Sequence, residues 1–240
     1  MKYYKGMDIS TLLEVEKCGA KFYDGKGPED ALDILKRYDV NAVRIRLWND
    51  PYSEDGEPYG AGTNDFASVI ALSRRAREKG FDILLDYHYS DFWADPGKQW
   101  TPKAWEKDDA KKVQQDAYDY TKKVLGDFKA AGALPEMVQV GNEITNGMIW
   151  PLGKLPFADN GKTLASFVAS GLKAVHDTDA GIKTMIHIAI QDRPAAHGAQ
   201  GRQVYARRLD AGRRRPVEVQ ALCGDRRRGA DGRYPEYEVE

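Results

Sequence analysis

The sequence has few cysteines and no long apolar segment. A membrane-spanning helix needs about 20 predominantly apolar residues, and no run approaches that length, so no membrane span is expected. The 240 residues include two cysteines, Cys18 and Cys223, which form no motif and whose spacing does not indicate a disulfide bond. The opening residues, MKYYK, lack the apolar segment of a secretory signal. No signal peptide is therefore predicted in this chain, and the default location is the cytoplasm.

Net charge is also nearly absent. The formal charge is −1 at pH 7, although 30% of the residues are charged and 42% are hydrophobic. This balance favours neither a nucleic acid nor a membrane surface as a partner. A chain of this length and composition can bury a hydrophobic core of ordinary size, so we predict a globular domain.

Short apolar runs alternate with helical patterns over residues 1–190. This alternation is typical of parallel strands joined by right-handed helical crossovers. A dinucleotide-binding open sheet would need a glycine-rich turn after an early strand, and the sequence has no such turn. The predicted strands are 3–9, 42–48, 82–87, 137–141 and 182–188, and the predicted helices are one beginning at Pro28 and three over 64–80, 108–131 and 164–176.

Polar side chains crowd the ends of these predicted strands. Arg44 and Arg46 are two residues apart, as are Asp86 and His88, so each pair lies on one side of its strand. Charged side chains on a buried strand are costly unless they line a site. The interior of a closed barrel near its catalytic mouth explains them better than a packed sheet face. The predicted fold class is therefore α/β, a (β/α)8 barrel, with these residues at its mouth: Asp8, Arg44, Arg46, Asp86, His88, Asn142, Glu143 and His187.

The pair Asn142-Glu143 directly follows the strand predicted at 137–141. Barrel enzymes carry their catalytic groups at this end of the strands. A carboxylic acid there can protonate a glycosidic oxygen, and the neighbouring amide can hold a sugar hydroxyl. Taken alone, the pair is better explained as an exposed acid at a helix start, stabilised by the helix dipole. The other strand-end residues favour the catalytic interpretation.

Five short motifs lie in or at the ends of the predicted strands. They are 6–10 (GMDIS), 43–51 (VRIRLWNDP), 86–96 (DYHYSDFWADP), 140–144 (VGNEI) and 185–187 (MIH). In their order and spacing they resemble glycoside hydrolase family 53, the endo-β-1,4-galactanases that cut the galactan side chains of pectin. The resemblance implies a (β/α)8 barrel that hydrolyses β-1,4-galactosidic bonds in (arabino)galactan with retention of configuration.

The resemblance also sets expectations for partners. It implies a polysaccharide substrate, β-1,4-galactan, and secretion from the cell. We expect no cofactor, no nucleic-acid or membrane partner, and a monomer. No metal is predicted, because the later loops in which some bacterial members of the family hold calcium are not recognisable in this sequence.

Two glutamates act in the family that the chain resembles. The glutamate after the asparagine on strand four is the general acid/base, which corresponds to Glu143, and Asn142 would hold the sugar hydroxyl next to the cleaved bond. The nucleophile belongs at the end of strand seven, whereas only about five strand–helix units are recognisable here. A retaining site needs two carboxyl groups about 5–5.5 Å apart, so no hydrolysis is expected of the chain as written. The glutamates without a recognisable strand-end context, to which no role is given, are Glu218, Glu236, Glu238 and Glu240.

Other strand-end residues are candidates for substrate binding, each with a structural alternative. Arg44 and Arg46 can orient site carboxylates through forked hydrogen bonds, form internal salt bridges to Asp8 or Asp86, or do both. The two histidines can bind sugar hydroxyls or tune the acid/base, although a packed core histidine is nearly as good an explanation for the second; their spacing does not indicate a metal site. An aromatic ring can stack on the C–H face of a sugar. The predicted substrate-binding residues are Asp8, Arg44, Arg46, His88, Trp93, Asn142 and His187.

The composition changes abruptly near residue 190. All 19 lysines precede this point, whereas 11 of the 17 arginines follow it. Segments such as 213–216 (RRRP) and 224–229 (GDRRRG) show neither helical nor strand periodicity. A basic disordered tail would explain them, but the complete replacement of lysine by arginine favours a shifted reading frame. We therefore predict that 1–190 is the N-terminal part of a glycosidase barrel and that 191–240 is an Arg-rich tail foreign to it.

Two other functions remain open at this stage. A different barrel glycosidase with the same pair of glutamates, such as a mannanase or cellulase, would share the strand-end motifs and differ in its loops. A non-catalytic carbohydrate-binding protein would keep the pocket and lack the nucleophile.

Overall fold

The computed structural model describes residues 2–25, 27–156 and 159–189, together with the backbone of residues 219 and 220. Its centre is a parallel sheet of five strands. The strands are β1 (Gly6–Asp8), β4 (Ala42–Leu47), β5 (Asp82–Tyr87), β6 (Met137–Val140) and β9 (Lys183–Met185), and they lie side by side in that order. Each strand therefore pairs with the next one along the chain, which is the order of a barrel wall.

In the described part of the chain, two smaller groups of short antiparallel strands lie outside this sheet. β2 (Lys21–Tyr23) pairs with β3 (Pro28–Glu29) and with β10 (Val219–Gln220). A second small pair, β7 (Gly147–Met148) and β8 (Gly153–Lys154), lies in the connection that follows β6.

The helices of the described residues connect the strands of the parallel sheet. An aspartate side chain accepts a backbone N–H at the start of three of them: Asp30 for α2, Asp65 for α3 and Asp109 for α4. The helices are α1 (Leu12–Lys17), α2 (Ala31–Arg37), α3 (Phe66–Glu78), α4 (Ala110–Ala130) and α5 (Lys162–Thr178), with 3₁₀ turns at Lys103–Trp105 and Ile144–Asn146.

The five predicted strands and the four predicted helices are present. The strand β5 has its predicted bounds, the other four strands are shorter than predicted, and the helix ends are shifted. The helix predicted from Pro28 was placed too early, because Pro28 lies in β3 and the helix begins at Ala31, after its cap Asp30. Gly80 follows α3 with a φ of 74°, the left-handed conformation in which a glycine commonly ends a helix. The sequence did not predict α1, whose six residues are too few for a periodic pattern.

The hydrophobic core lies between the parallel sheet and its helices. Alternate residues of the central strands, including Ile45, Ile83 and Val138, are fully buried in one cluster with Phe128 and Phe167 of the helices. The other face of the same strands carries polar side chains at its carboxyl end. No helix in the described part of the chain is both long and apolar enough to cross a membrane.

Gly171 of α5 lies where the helix packs most tightly on the sheet. A Cβ atom there would be 2.7 Å from Tyr89 Oη and 2.7 Å from Val140 Cγ1. Neither atom can withdraw easily, because Tyr89 is buried and its hydroxyl is hydrogen-bonded to Thr121 Oγ1 at 2.7 Å. Close contact therefore outweighs any gain in helix propensity at this position.

We predict that Gly171→Ala lowers the free energy of unfolding by about 1–3 kcal/mol, as overpacked cores do. The matched control is Gly126→Ala in the exposed middle of α4, where a new Cβ meets nothing within 4 Å. That change should raise stability by about 0.5–1 kcal/mol, because alanine favours helix more than glycine does. Urea denaturation of the parent and the two variants measures both effects. Equal changes in the free energy of unfolding in the two variants would show that Gly171 is not tightly packed against the sheet.

Candidate active site

The predicted strand-end residues meet at one end of the parallel sheet. Residues two apart on a strand share a face, and paired positions on neighbouring strands lie side by side. In the sheet register Asp8 lies beside Arg44, and Arg46 lies beside Asp86. Asp86 lies beside Gln139 of β6 as well. Polar side chains from four adjacent strands therefore converge at the carboxyl end, as the residue spacing predicted.

Arg44 links three of these strands. Its guanidinium donates to Asp8 Oδ2 at 2.6 Å, to Asp86 Oδ2 at 2.5 Å and to Asn142 Oδ1 at 2.8 Å. Burial lowers the pKa of Arg44, but the carboxylates of Asp86 and Asp8 outweigh it, and the pKa lies above its usual value. The charge of Glu143 acts in the same direction. The internal salt bridges considered for Arg44 are thus present, and Arg44 also orients a site amide.

Arg46 is held by an aromatic ring. Its side chain is buried, and its guanidinium lies over Trp93, 4.1 Å from the ring centroid. Within the described residues Arg46 forms no salt bridge, and its Nε has no hydrogen-bond partner. Burial lowers the pKa of Arg46 below its usual value. Arg46 therefore covers one face of Trp93, and the rings of Trp48 and His88 also pack against Trp93, with centroid distances of 5.6 Å and 6.0 Å.

Asp86 is the fully buried acceptor at the centre of the cluster. Besides Arg44, it accepts from His88 Nε2 at 3.0 Å and from Gln139 Nε2. No role was predicted for Gln139, although it is the polar residue within the apolar strand β6, at a position that faces the site.

His88 is locked in one tautomer by its neighbours. Its Nδ1 accepts from Trp48 Nε1 at 3.1 Å and from the backbone N–H of Ala94 at 3.1 Å. Both groups can only donate, so Nδ1 carries no proton, and the proton on Nε2 is donated to Asp86. The ring is buried and both nitrogens are engaged, which favours a role in positioning Asp86. Direct contact of His88 with a sugar hydroxyl stays a prediction.

The amide of Asn142 has only one orientation that satisfies its neighbours. Its Nδ2 donates to Ala94 O at 2.7 Å, and its Oδ1 accepts from Arg44 and from Gln139 Nε2 at 3.2 Å. His187 Nδ1 lies 2.9 Å from the same Oδ1 and must therefore donate to it. Two groups remain without a partner in the described part of the chain: the second N–H of Asn142 Nδ2 and Nε2 of His187. Both can bind hydroxyl groups of a ligand.

Glu143 occupies an unusual backbone conformation at the end of β6. Its φ of 49° and ψ of 45° lie in the left-handed region, which is uncommon for a residue with a side chain. The turn is held from outside: Gln99 Nε2 donates to Asn142 O at 2.7 Å and to Glu143 O at 3.3 Å, and Ile144 N donates to His187 O at 3.0 Å. Its side chain is half-buried. Strained residues held by their surroundings cluster at functional sites, which supports a role for Glu143.

Several predictions concern residues outside the described part of the chain. The four C-terminal glutamates, Cys223 and the boundary at residue 190 lie outside the described residues. The free thiol of Cys18 is exposed. Among the described residues no group of three or more His, Cys, Asp or Glu side chains could hold a metal ion.

Comparison with known proteins finds relatives of this chain among glycosyl hydrolases. Glycosyl hydrolase family 53 matches residues 4–210. The endo-beta-1,4-galactanase of Bacillus subtilis (strain 168) is 38% identical over 186 residues, covering 77% of this chain and 42% of the relative. A protein of Niallia circulans described as an uncharacterized protein in the bgaB 5' region is 42% identical over 208 residues, covering 84% of this chain and 54% of the relative.

Solved structures agree with the sequence match. The family 53 catalytic domain of Ignisphaera aggregans matches with a TM-score of 0.74 and 41% identity, covering 78% of this chain and 51% of that one. Because the family 53 structures are (β/α)8 barrels, the five parallel strands are part of a barrel wall and the predicted fold class is confirmed. The chain spans about half the length of the curated relatives it matches.

The Asp8 carboxylate makes the stability of this cluster depend on pH. Burial raises the pKa of Asp8, but the charges of Arg46 and Arg44 and two hydrogen bonds from Ser10 outweigh it, so the pKa lies below its usual value. A lowered pKa in the folded state contributes stability above the unfolded pKa of about 3.9, and this stability is lost as the pH falls through the folded pKa.

We predict that Asp8→Asn is less stable than the parent at pH 7 and that the difference shrinks as the pH falls below about 4. The amide keeps the shape but cannot offer a charge to Arg44 at any pH. Urea denaturation of both proteins between pH 7 and pH 2.5 measures the difference. A gap in unfolding free energy that stays constant over this range would contradict the lowered pKa.

Proposed function

Because this chain belongs to glycosyl hydrolase family 53, we propose that the protein it forms or is part of hydrolyses β-1,4-galactosidic bonds in (arabino)galactan with retention of configuration. Relatives named endo-beta-1,4-galactanase support this substrate. The observation that carries the proposal is the turn Asn142-Glu143 at the carboxyl end of β6, with the carboxyl group half-buried beside a fully oriented amide.

Glu143 is proposed as the general acid and base. Its carboxyl group gives a proton to the glycosidic oxygen while a second, nucleophilic carboxylate attacks the anomeric carbon and the bond from that carbon to the glycosidic oxygen breaks. In the second half of the reaction the Glu143 carboxylate takes a proton from the water that attacks the anomeric carbon, and the bond from that carbon to the nucleophilic carboxylate breaks.

Asn142 and His187 are proposed as the sugar-binding pair next to the cleaved bond. The second N–H of Asn142 is held in place because the other N–H donates to Ala94 O and Oδ1 accepts three donors. Nε2 of His187 stays available to a ligand because its Nδ1 is committed to Asn142. Trp93 is proposed to stack a sugar on the face that Arg46 leaves open.

Neither aspartate of the cluster is proposed as the second carboxylate of a retaining mechanism. Of the carboxylates that converge on the cluster, Asp8 and Asp86 are both bound by Arg44, and neither is free to attack an anomeric carbon. The buried Nε of Arg46 has no hydrogen-bond partner in the described part of the chain. Arg46 is therefore proposed to donate to a nucleophilic carboxylate from another part of the protein. A guanidinium in that position would keep a nucleophilic carboxylate ionised.

A binding protein without hydrolytic activity is the second candidate function. The observation that favours it is that only one catalytic carboxylate, Glu143, can be assigned among the described residues. Such a protein would bind β-1,4-galactan through the same amide, histidine and aromatic groups. A mannanase or cellulase is disfavoured by the family match, and β-1,4-mannan and cellulose in the same assay separate these substrates.

We predict that Glu143→Gln reduces the release of reducing ends from β-1,4-galactan by at least about 10²-fold, because the amide cannot donate a carboxyl proton. Affinity for β-1,4-galactotetraose should stay within about threefold, since Gln keeps the size of the side chain. Because no hydrolysis is expected of the 240 residues alone, hydrolysis is assayed in a protein in which residues 1–190 are followed by a complete family 53 C-terminal part, and calorimetry measures the affinity.

The matched control is Glu106→Gln, which neutralises an exposed glutamate outside the cluster and should leave both quantities unchanged. A Glu143→Gln variant as active as the parent would remove the proton-donor role. Binding without hydrolysis by the parent would favour the second candidate function, and no binding of galactan at all would refute both.

A further inference from the structure

Trp100 is a large aromatic side chain left exposed near the carboxyl end of the sheet. Its relative exposure is 54%, whereas Trp48, Trp105 and Trp150 are at most 7% exposed. An exposed indole keeps its apolar faces available to a ligand.

The backbone around Trp100 is held firmly. Trp100 forms a parallel bridge with Trp150, in which Trp150 N donates to Gln99 O at 2.6 Å. Thr101 Oγ1 donates to Trp150 O at 2.6 Å on the other side. The ring itself packs edge-to-face with Trp150 at 6.0 Å between centroids and an angle of 90°. The exposed indole is therefore presented by a fixed backbone and a fixed neighbour.

Gln99, the residue before Trp100, ties this aromatic ring to the proposed acid/base. Its buried Nε2 donates to the carbonyl oxygens of Asn142 and Glu143. The same loop is fastened again where Asn146 Nδ2 donates to Pro96 O at 2.8 Å. Trp100 thus belongs to the connection that holds the Glu143 turn, on the rim at the carboxyl end of β5 and β6.

We propose that Trp100 is a stacking platform for a further galactosyl unit of the polysaccharide, beyond the units that contact Asn142 and Glu143; this inference rests on the proposed function. Galactopyranose suits such a platform, because the face opposite its axial 4-hydroxyl carries only C–H bonds. An aromatic face binds such an apolar sugar face, and the fixed ring loses little conformational freedom on binding. Trp100 therefore contributes to the recognition of long chains and leaves short ones unaffected.

The test compares ligand length. We predict that Trp100→Ala weakens the affinity for β-1,4-galactotetraose by about fivefold or more and changes the affinity for β-1,4-galactobiose by less than about twofold. Trp100→Phe should retain most of the tetraose affinity, because it keeps an aromatic face. The matched control is Tyr3→Ala, which removes an aromatic side chain that is 81% exposed ahead of the amino end of β1. Isothermal titration calorimetry measures all four proteins.

Each outcome of this comparison decides the inference. Parent protein that binds galactotetraose with the same affinity as Trp100→Ala overturns the platform and leaves the proposed function standing. Parent protein that binds neither saccharide overturns both. If Trp100→Ala fails to fold, Trp100→Phe decides through fluorescence: the tetraose should change the tryptophan emission of the parent, and an identical change in Trp100→Phe would place the sugar elsewhere.

Discussion

The site depends on one buried carboxylate, that of Asp86. It is fully buried and accepts hydrogen bonds from Arg44, His88 and Gln139. An unpaired charge in this position would cost several kcal/mol, and it is tolerated because a guanidinium and two oriented N–H groups surround it. Two of the same donors, Arg44 and Gln139, also bind Oδ1 of Asn142, so the charge inside the sheet sets the orientation of the amide at its mouth.

The hydrogen bonds around Asp86 close into a ring that joins strands to a loop. Asp86 accepts a hydrogen bond from Nε2 of His88, and Nδ1 of His88 accepts one from the backbone N–H of Ala94. The carbonyl oxygen of Ala94 in turn accepts a hydrogen bond from Nδ2 of Asn142. Arg44 completes the ring between Asn142 and Asp86. Such a connected network can hold a strained backbone, which explains how the next residue, Glu143, keeps a φ of 49°.

The sequence predicted the strands and the faces they present better than the contacts made at the site. Period-two pairs such as Arg44 and Arg46 located one polar face. The pattern could not show that Arg44 binds carboxylates while Arg46 stacks on Trp93, because those partners come from other strands and loops. The roles of Gln99 and Gln139 were not predicted for the same reason. The residues around a glutamine in the sequence do not indicate which buried carbonyl or carboxylate its side chain will contact. The domain boundary predicted at residue 190 stays a prediction.

The most direct test of this account is the galactotetraose affinity and unfolding free energy of Asp86→Asn. The amide keeps the shape of Asp86, but its NH2 group replaces a carboxylate oxygen and faces the N–H donors of Arg44 or Gln139. We expect a loss of about 3–5 kcal/mol in the free energy of unfolding, as for a broken buried ion pair, together with at least about tenfold weaker binding by the protein that remains folded. Folded Asp86→Asn that binds the tetraose like the parent would show that Asn142 is oriented without this carboxylate.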